Sequence, residues 1–161
     1  MEGRKSAFAQ ENERPEVGEA GTVVQWKGFE RLDDERSERN RKMDSRKWNT
    51  SESGHGPELI SNAKFEDFKL HVEFNCAKGS NSGVYLRGRY ELQIEDDPQP
   101  EGPTMRTGGV YGFLAPSPEQ PRRPGEWQTY DIRLIGRVVT VVQNGQTIID
   151  RQEIPGITGG A

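Results

Sequence analysis

Cysteine and histidine are scarce in this sequence. The chain has one cysteine and two histidines among 161 residues. The lone Cys76 cannot form an internal disulfide, and no Cys-x-x-Cys pair or Cys/His cluster is present, which excludes a structural zinc site of the usual spacing. No Gly-x-Ser-x-Gly motif occurs, and the glycine-rich stretch 79–83 lacks the lysine of a phosphate-binding loop. These absences exclude several common classes of hydrolase and nucleotide-binding protein.

Long hydrophobic runs are missing as well. Only 30% of the residues are hydrophobic, and no apolar stretch approaches the ~20 residues that cross a bilayer, so we expect no membrane span. The net charge of −4 does not indicate a nucleic-acid-binding surface, and we expect no nucleic acid partner. No secretion signal is visible, because residues 1–16 lack an apolar core of ~7–15 residues. Taken literally this favours the cytoplasm, but the true N-terminus and the localisation stay open.

Charge is abundant and unevenly distributed, with nearly half of the charged residues in the first fifty positions. The run 31–46 is almost wholly polar. It could form a solvated helix with charge pairs four residues apart, but a disordered or poorly packed arm is favoured, because almost nothing in it can be buried. We therefore predict an N-terminal arm over residues 1–47 and a folded domain over residues 48–161.

The rest of the sequence alternates between apolar and polar residues, which is typical of half-buried strands. In residues 68–74 every second side chain is apolar, and segments 84–86, 90–94, 110–114, 127–135, 138–143 and 146–150 have the character of further short strands. Asn144-Gly145 is a strong hairpin signal, because a type I′ turn needs positive φ at both central residues. Many short strands, frequent turns and no convincing helix predict an all-β sandwich.

Three consecutive predicted strands carry polar side chains at alternate positions. If these strands share one sheet, the side chains form one surface in which a forked arginine donor lies near carboxylates and a tyrosine, as in sugar recognition. An exposed sheet face with incidental ion pairs is the alternative. The first of these strands could also bind a divalent cation through its histidine and glutamate, although a surface histidine beside an acid is the simpler interpretation. The residues are His71, Glu73, Tyr85, Arg87, Glu91, Gln93 and Glu95.

The stretch 91–95, Glu-Leu-Gln-Ile-Glu, resembles a strand of laminarinase-type glycosidases in which alternating carboxylates project into a cleft. Here Gln93 takes the place of the middle aspartate. Glu91 and Glu95 lie about 13 Å apart along an extended strand. Pairs of carboxylates that hydrolyse glycosides lie about 5–9.5 Å apart. These two glutamates alone are therefore too distant for ordinary two-carboxylate hydrolysis.

Several blocks, in order along the chain, resemble the 3-keto-disaccharide hydrolase domain family, long called a domain of unknown function. The resemblance covers residues 48–161 and implies a concanavalin A-like, jelly-roll β-sandwich with a sugar site on its concave face. It also implies a bacterial origin, mostly periplasmic or secreted. The family closes with a further strand, so we expect this chain to lack the closing C-terminal strand. The blocks are residues 65–74, 79–88, 90–94, 109–112, 115–116, 125–130 and 144–145.

The family acts on glycosides oxidised to a ketone at C3, by elimination followed by hydration. Such chemistry needs a general base for the C2 proton and a group that stabilises the enolate. The resemblance suggests Glu91 or Glu73 as the base, and Arg87, His71 or a bound divalent cation as the stabiliser; no cofactor is certain. A non-catalytic carbohydrate-binding module and an inactive fragment of the family are the alternatives. The residues expected to bind the carbohydrate substrate are Tyr85, Gln93, Asn81, Tyr111 and Glu95.

Overall fold

The computed structural model describes residues 22–31, 48–53, 56–61, 64–99 and 102–159. In this part of the chain the regular structure is almost entirely β, and the helical element is a three-residue 3-10 turn, Pro103–Met105. The same residues contain no helix that is long and apolar enough to cross a membrane. The strands are β1 Thr22–Arg31, β2 Trp48–Ser53, β3 Gly56–Ser61, β4 Phe68–Cys76, β5 Asn81–Leu86, β6 Tyr90–Glu95, β7 Trp127–Ile135, β8 Val138–Gln143 and β9 Gln146–Glu153.

The described strands pair antiparallel in three sheets. The largest has five strands in the order β1-β4-β7-β8-β9, while β2 pairs with β3 and β5 pairs with β6. Residues 108–111 extend the β5–β6 sheet, because Gln93 N donates to Gly109 O and Tyr111 N donates to Glu91 O, each at 2.9 Å. The predicted strand over residues 110–114 is instead a tight reversal, in which Val110 pairs with Leu114.

One hydrophobic core joins the five-stranded sheet to the β5–β6 sheet and makes the two a β-sandwich. The alternate residues of β4, from Phe68 to Phe74, are buried as the sequence predicted. Tyr130 on β7 packs against Phe74 with ring centroids 4.6 Å apart, and its hydroxyl donates to the Gln93 carbonyl of β6 at 2.8 Å. Burial raises the pKa of Tyr130 well above its usual value, so the hydroxyl stays protonated and can donate this bond. The all-β prediction is confirmed.

The β8–β9 hairpin turns where the sequence predicted. Asn144 and Gly145 have φ of 50° and 81°, which is the left-handed backbone that the turn requires. The returning strand β9 continues to Glu153, three residues past its predicted end.

The predicted N-terminal arm is described only in part. Residues 22–31 form β1, which pairs with β4 from Thr22 opposite Cys76 to Arg31 opposite Phe68. This portion of the arm therefore contributes a strand to the main sheet. The choice between helix and disorder for residues 31–46 falls, apart from Arg31, outside the described residues, and the domain boundary at residue 48 stays a prediction.

Candidate functional site

The predicted polar surface is divided between the two layers of the sandwich. β4 lies in the five-stranded sheet, whereas β5 and β6 form a sheet of their own. The expectation that the three strands share one sheet is therefore wrong. Since alternate residues of β4 and β6 fill the common core, His71 and Glu73 face outward from one layer and Glu91 faces outward from the other.

His71 and Glu73 belong to a charged cluster on the outer face of the five-stranded sheet. Nδ1 of His71 lies 2.6 Å from Oδ1 of Asp131, the residue directly opposite on β7. Nε2 of His71 lies 3.9 Å from Oε1 of Glu73. Within the described ranges no group of three or more His, Cys, Asp and Glu side chains could hold a metal ion. The residues present thus do not fit a ready-made site for the divalent cation considered from the sequence.

Arg87 is turned away from the polar face of β5. The strand ends at Leu86, and Arg87 begins the turn to β6 with a φ of 57°. Its guanidinium donates to the carbonyl of Gly136 in the β7–β8 turn, and its Cζ lies 5.5 Å from the centroid of the Tyr90 ring. Tyr90 is buried in the core. The expectation that Arg87 shares a face with Tyr85 is therefore wrong; Arg87 ties together two turns of the sandwich.

Glu91 and Tyr85 lie on the outward face of the β5–β6 sheet, close to the turn that joins the two strands. They are opposite each other in the strand register, and the Tyr85 hydroxyl donates to Oε2 of Glu91 at 3.0 Å. Partial burial raises the pKa of Glu91 above its usual 4.5, and the bond from Tyr85 opposes that rise. A half-buried carboxyl with a raised pKa is suited to accept and return a proton, because its pKa lies closer to neutral pH.

Gly83 makes room for the Glu91 side chain. This glycine lies on β5, two residues before Tyr85, and the glutamate passes across it. A Cβ at position 83 would lie 2.7 Å from Cγ of Glu91, closer than real Cβ contacts allow, and 3.0 Å from Cδ. Sequence reasoning missed this role. The available signal was a glycine inside a strand, which often marks a close approach of another group.

Asn81 and Gln93 form a pair of amides on the same face. Nε2 of Gln93 donates to Oδ1 of Asn81 at 3.3 Å. Gln93 is only 2% exposed, and its Oε1 is buried without a hydrogen-bond partner among the described residues. A buried acceptor left unpaired costs about 1–3 kcal/mol.

Glu95 secures the loop beside β6. Its carboxylate accepts hydrogen bonds from the backbone N–H of Thr107, at 3.2 Å, and of Asp97. The Thr107 hydroxyl in turn donates to the Glu95 carbonyl at 2.7 Å. The structure therefore places Glu95, predicted as a substrate-binding residue, in a buried position where its carboxylate is occupied by the loop.

Two residues from later in the chain complete the edge of β6 next to Glu91. Tyr111 N donates to the Glu91 carbonyl. Tyr111 is therefore the cross-strand neighbour of Glu91 and lies on the same face of the sheet. On the same edge, Glu91 N donates to the Thr158 hydroxyl at 2.9 Å. Tyr111 was predicted from the family resemblance, whereas Thr158 carries no signal in the sequence.

Comparison with known proteins settles the family. The 3-keto-alpha-glucoside-1,2-lyase-like domain matches residues 10–161. The chain belongs to this family. Membership confirms the resemblance predicted from the sequence and points to a glycosyl-hydrolase-like function on carbohydrates. No curated protein sequence matches the chain.

Solved structures show the same fold. The chain is similar to a proposed glycosyl hydrolase from Parabacteroides distasonis, with 27% identity and a TM-score of 0.60 over 86% of this chain and 68% of that one. A second proposed glycosyl hydrolase from the same organism has 24% identity and a TM-score of 0.50 over 60% of this chain and 64% of that one. The chain thus spans about two thirds of the length of either structure.

Proposed function

We propose that this protein is an enzyme that cleaves the glycosidic bond of 3-keto-glycosides, with Glu91 as its general base. What carries the proposal is the half-buried Glu91, whose pKa is raised by burial and whose carboxylate accepts a bond from Tyr85. Glu95, the other carboxylate on the β6 strand, is occupied by the backbone of Thr107 and Asp97. Among the described residues this face thus offers a single available carboxylate, which suits proton abstraction better than hydrolysis by a carboxylate pair.

The chemistry starts at the C2 proton, which the neighbouring C3 ketone acidifies. Glu91, as a carboxylate, takes this proton, and the electron pair of the C2–H bond forms the enolate. Collapse of the enolate breaks the C1–O bond, and the departing oxygen takes a proton, which protonated Glu91 can return. Water then adds across the C1=C2 double bond, its oxygen to C1 and a proton to C2. The net reaction is hydrolysis of the glycosidic bond.

The neighbouring side chains suit the remaining tasks. An amide N–H of Asn81, whose side chain is exposed and is held by the Gln93 amide, can donate to the enolate oxygen. Tyr85 is 38% exposed and offers an aromatic surface next to Glu91. Arg87 and His71, suggested from the sequence as enolate stabilisers, are bound instead to Gly136 and to Asp131.

The test is release of the phenol from an aryl 3-keto-glucoside. Glu91→Gln should lower kcat/KM by about 10²–10⁴, the usual contribution of general acid–base catalysis. Glu73→Gln, on the other sheet, should retain most of the activity, as should Glu66→Gln at an exposed loop position. All three replacements conserve the shape of the side chain and remove a carboxylate. A loss of activity confined to one variant therefore identifies the carboxylate that acts as the base.

Two results would contradict the proposal. If Glu91→Gln keeps wild-type turnover, or if only Glu73→Gln loses it, Glu91 is not the base. If the wild-type chain binds the 3-keto-glucoside without releasing phenol and unfolds cooperatively, the carbohydrate-binding alternative replaces the enzyme.

A further inference from the structure

We infer that the hydroxyl of Thr158 positions Glu91 by holding its backbone, a role that rests on the proposed function of Glu91 as base. Glu91 N donates to Oγ1 of Thr158 at 2.9 Å, and this hydroxyl donates onward to the Arg89 carbonyl at 3.1 Å. Thr158 N also donates to the Arg89 carbonyl, at 3.0 Å. Thr158 thus bonds to the backbone on both sides of Tyr90, at Arg89 in the turn before β6 and at Glu91 within the strand.

The bond is needed because the strand edge changes partner at this point. Tyr111 N donates to the Glu91 carbonyl, but the chain then reverses at Gly112, where φ is 77°. The segment after Tyr111 therefore leaves β6, and it offers no backbone carbonyl that could accept a hydrogen bond from the Glu91 N–H. The Thr158 hydroxyl takes the place of the missing strand carbonyl. Without it, a backbone donor at a half-buried position would be unpaired.

The segment that carries Thr158 is anchored independently of Glu91. Ile154 is fully buried, its N–H donates to the Arg137 carbonyl at 2.9 Å, and its carbonyl accepts from the Arg137 guanidinium at 2.6 and 2.9 Å. Gly156 lies against the ring of Phe113, where an added Cβ would lie 2.6 Å from Cε1. Removal of the Thr158 hydroxyl should therefore leave the segment in place and act on Glu91.

The decisive pair of variants is Thr158→Val, which keeps the shape and removes the hydroxyl, and Thr158→Ser, which keeps the hydroxyl and removes the methyl. Thr140→Val is the matched control, because the Thr140 hydroxyl also accepts a backbone N–H, that of Arg151 at 3.2 Å, in the β8–β9 hairpin. We expect Thr158→Val to lower kcat about tenfold to a hundredfold, because small displacements of a reacting group are costly. KM should change much less, since the lost interaction acts on the chemical step.

Rescue separates positioning from packing. Thr158→Ser should restore kcat to near the wild-type value, and Thr140→Val should leave it unchanged. The inference is overturned if Thr158→Val keeps wild-type kcat, or if Thr158→Ser loses as much as Thr158→Val does.

A second readout, without substrate, distinguishes this inference from the proposed function. In Thr158→Val the amide proton of Glu91 should exchange with solvent faster, whereas that of Gln93, which is bonded to the Gly109 carbonyl, should not. If the wild-type chain releases no phenol, the proposed function fails, yet faster exchange at Glu91 still supports the role of Thr158. Unchanged exchange at Glu91 refutes that role whatever the activity.

Discussion

The outward faces of the two sheets look alike in the sequence and differ in the structure. His71 and Glu73 alternate with apolar residues on β4, as Glu91 and Gln93 do on β6. On the five-stranded sheet His71, 33% exposed, pairs with the exposed Asp131 on the open part of the face, while Glu73 beside it is 12% exposed. On the β5–β6 sheet Gln93 is buried and Glu91 half-buried. The comparison teaches that similar alternating patterns place carboxyl groups in different surroundings: Glu91 is partly desolvated and accepts a hydrogen bond from Tyr85, whereas the exposed Asp131 pairs with His71.

The largest effect on this difference between the faces is expected when the Glu91 side chain is displaced while the residue itself is kept. In Gly83→Ala the new Cβ would meet Cγ of Glu91 at 2.7 Å and push the side chain aside. We expect kcat/KM toward the aryl 3-keto-glucoside to fall about a hundredfold, as for a displaced reacting group. Gly102→Ala is the control, because a Cβ there meets nothing within 4 Å. Full activity of Gly83→Ala would mean that Glu91 does not act from the position described.

Tyr85→Phe tests the electrostatics of the same face with a smaller expected effect. The Tyr85 hydroxyl lowers the pKa of Glu91, so its removal should raise that pKa further. Because the base must be ionised, the acid limb of the kcat/KM profile should move to higher pH, and the loss should be largest at low pH and recover as the pH rises. An equal loss at every pH would show that Tyr85 acts through binding and leaves the ionisation of Glu91 unaffected.

The sequence predicted features that depend on neighbouring residues. The alternation over residues 68–74 and the Asn144-Gly145 turn are encoded within a few positions, and both are confirmed. The alternation and the family blocks together indicated Glu91, Tyr85 and Gln93 as candidate site residues, and the structure places all three on the β5–β6 hairpin.

Features that depend on the path of the whole chain could not be predicted. Alternation shows which residues of β4 face outward but not which sheet β4 joins, so His71 was placed beside Tyr85. Arg87 leaves the face because the strand ends one residue earlier, at Leu86. The bond from Glu91 to Thr158 joins residues 67 positions apart, and no pattern of neighbouring residues predicts such a contact.

The smallest predicted effect is on the free energy of unfolding. A substitution on one face should raise it, and a substitution on the other face should lower it. Glu91 has a raised pKa in the folded state, so the protonated form is favoured by folding. That contribution is fully present below the ordinary carboxyl pKa and is lost as the pH rises through the folded-state value. At neutral pH the ionised Glu91 therefore destabilises the fold. Glu91→Gln should raise the free energy of unfolding slightly, by at most about 0.5 kcal/mol, the scale of substitutions outside the core.

Asp131→Asn should have the opposite effect. Asp131 is exposed and paired with His71 at 2.6 Å, and such a surface pair contributes about 0–1 kcal/mol, which the variant loses. Urea unfolding of both variants at neutral and at acidic pH makes the comparison. The gain in Glu91→Gln should disappear at acidic pH, because wild-type Glu91 is then neutral as well. A loss of stability in Glu91→Gln at neutral pH would mean that the carboxylate is held by favourable contacts, and that its face resembles the open face of the other sheet.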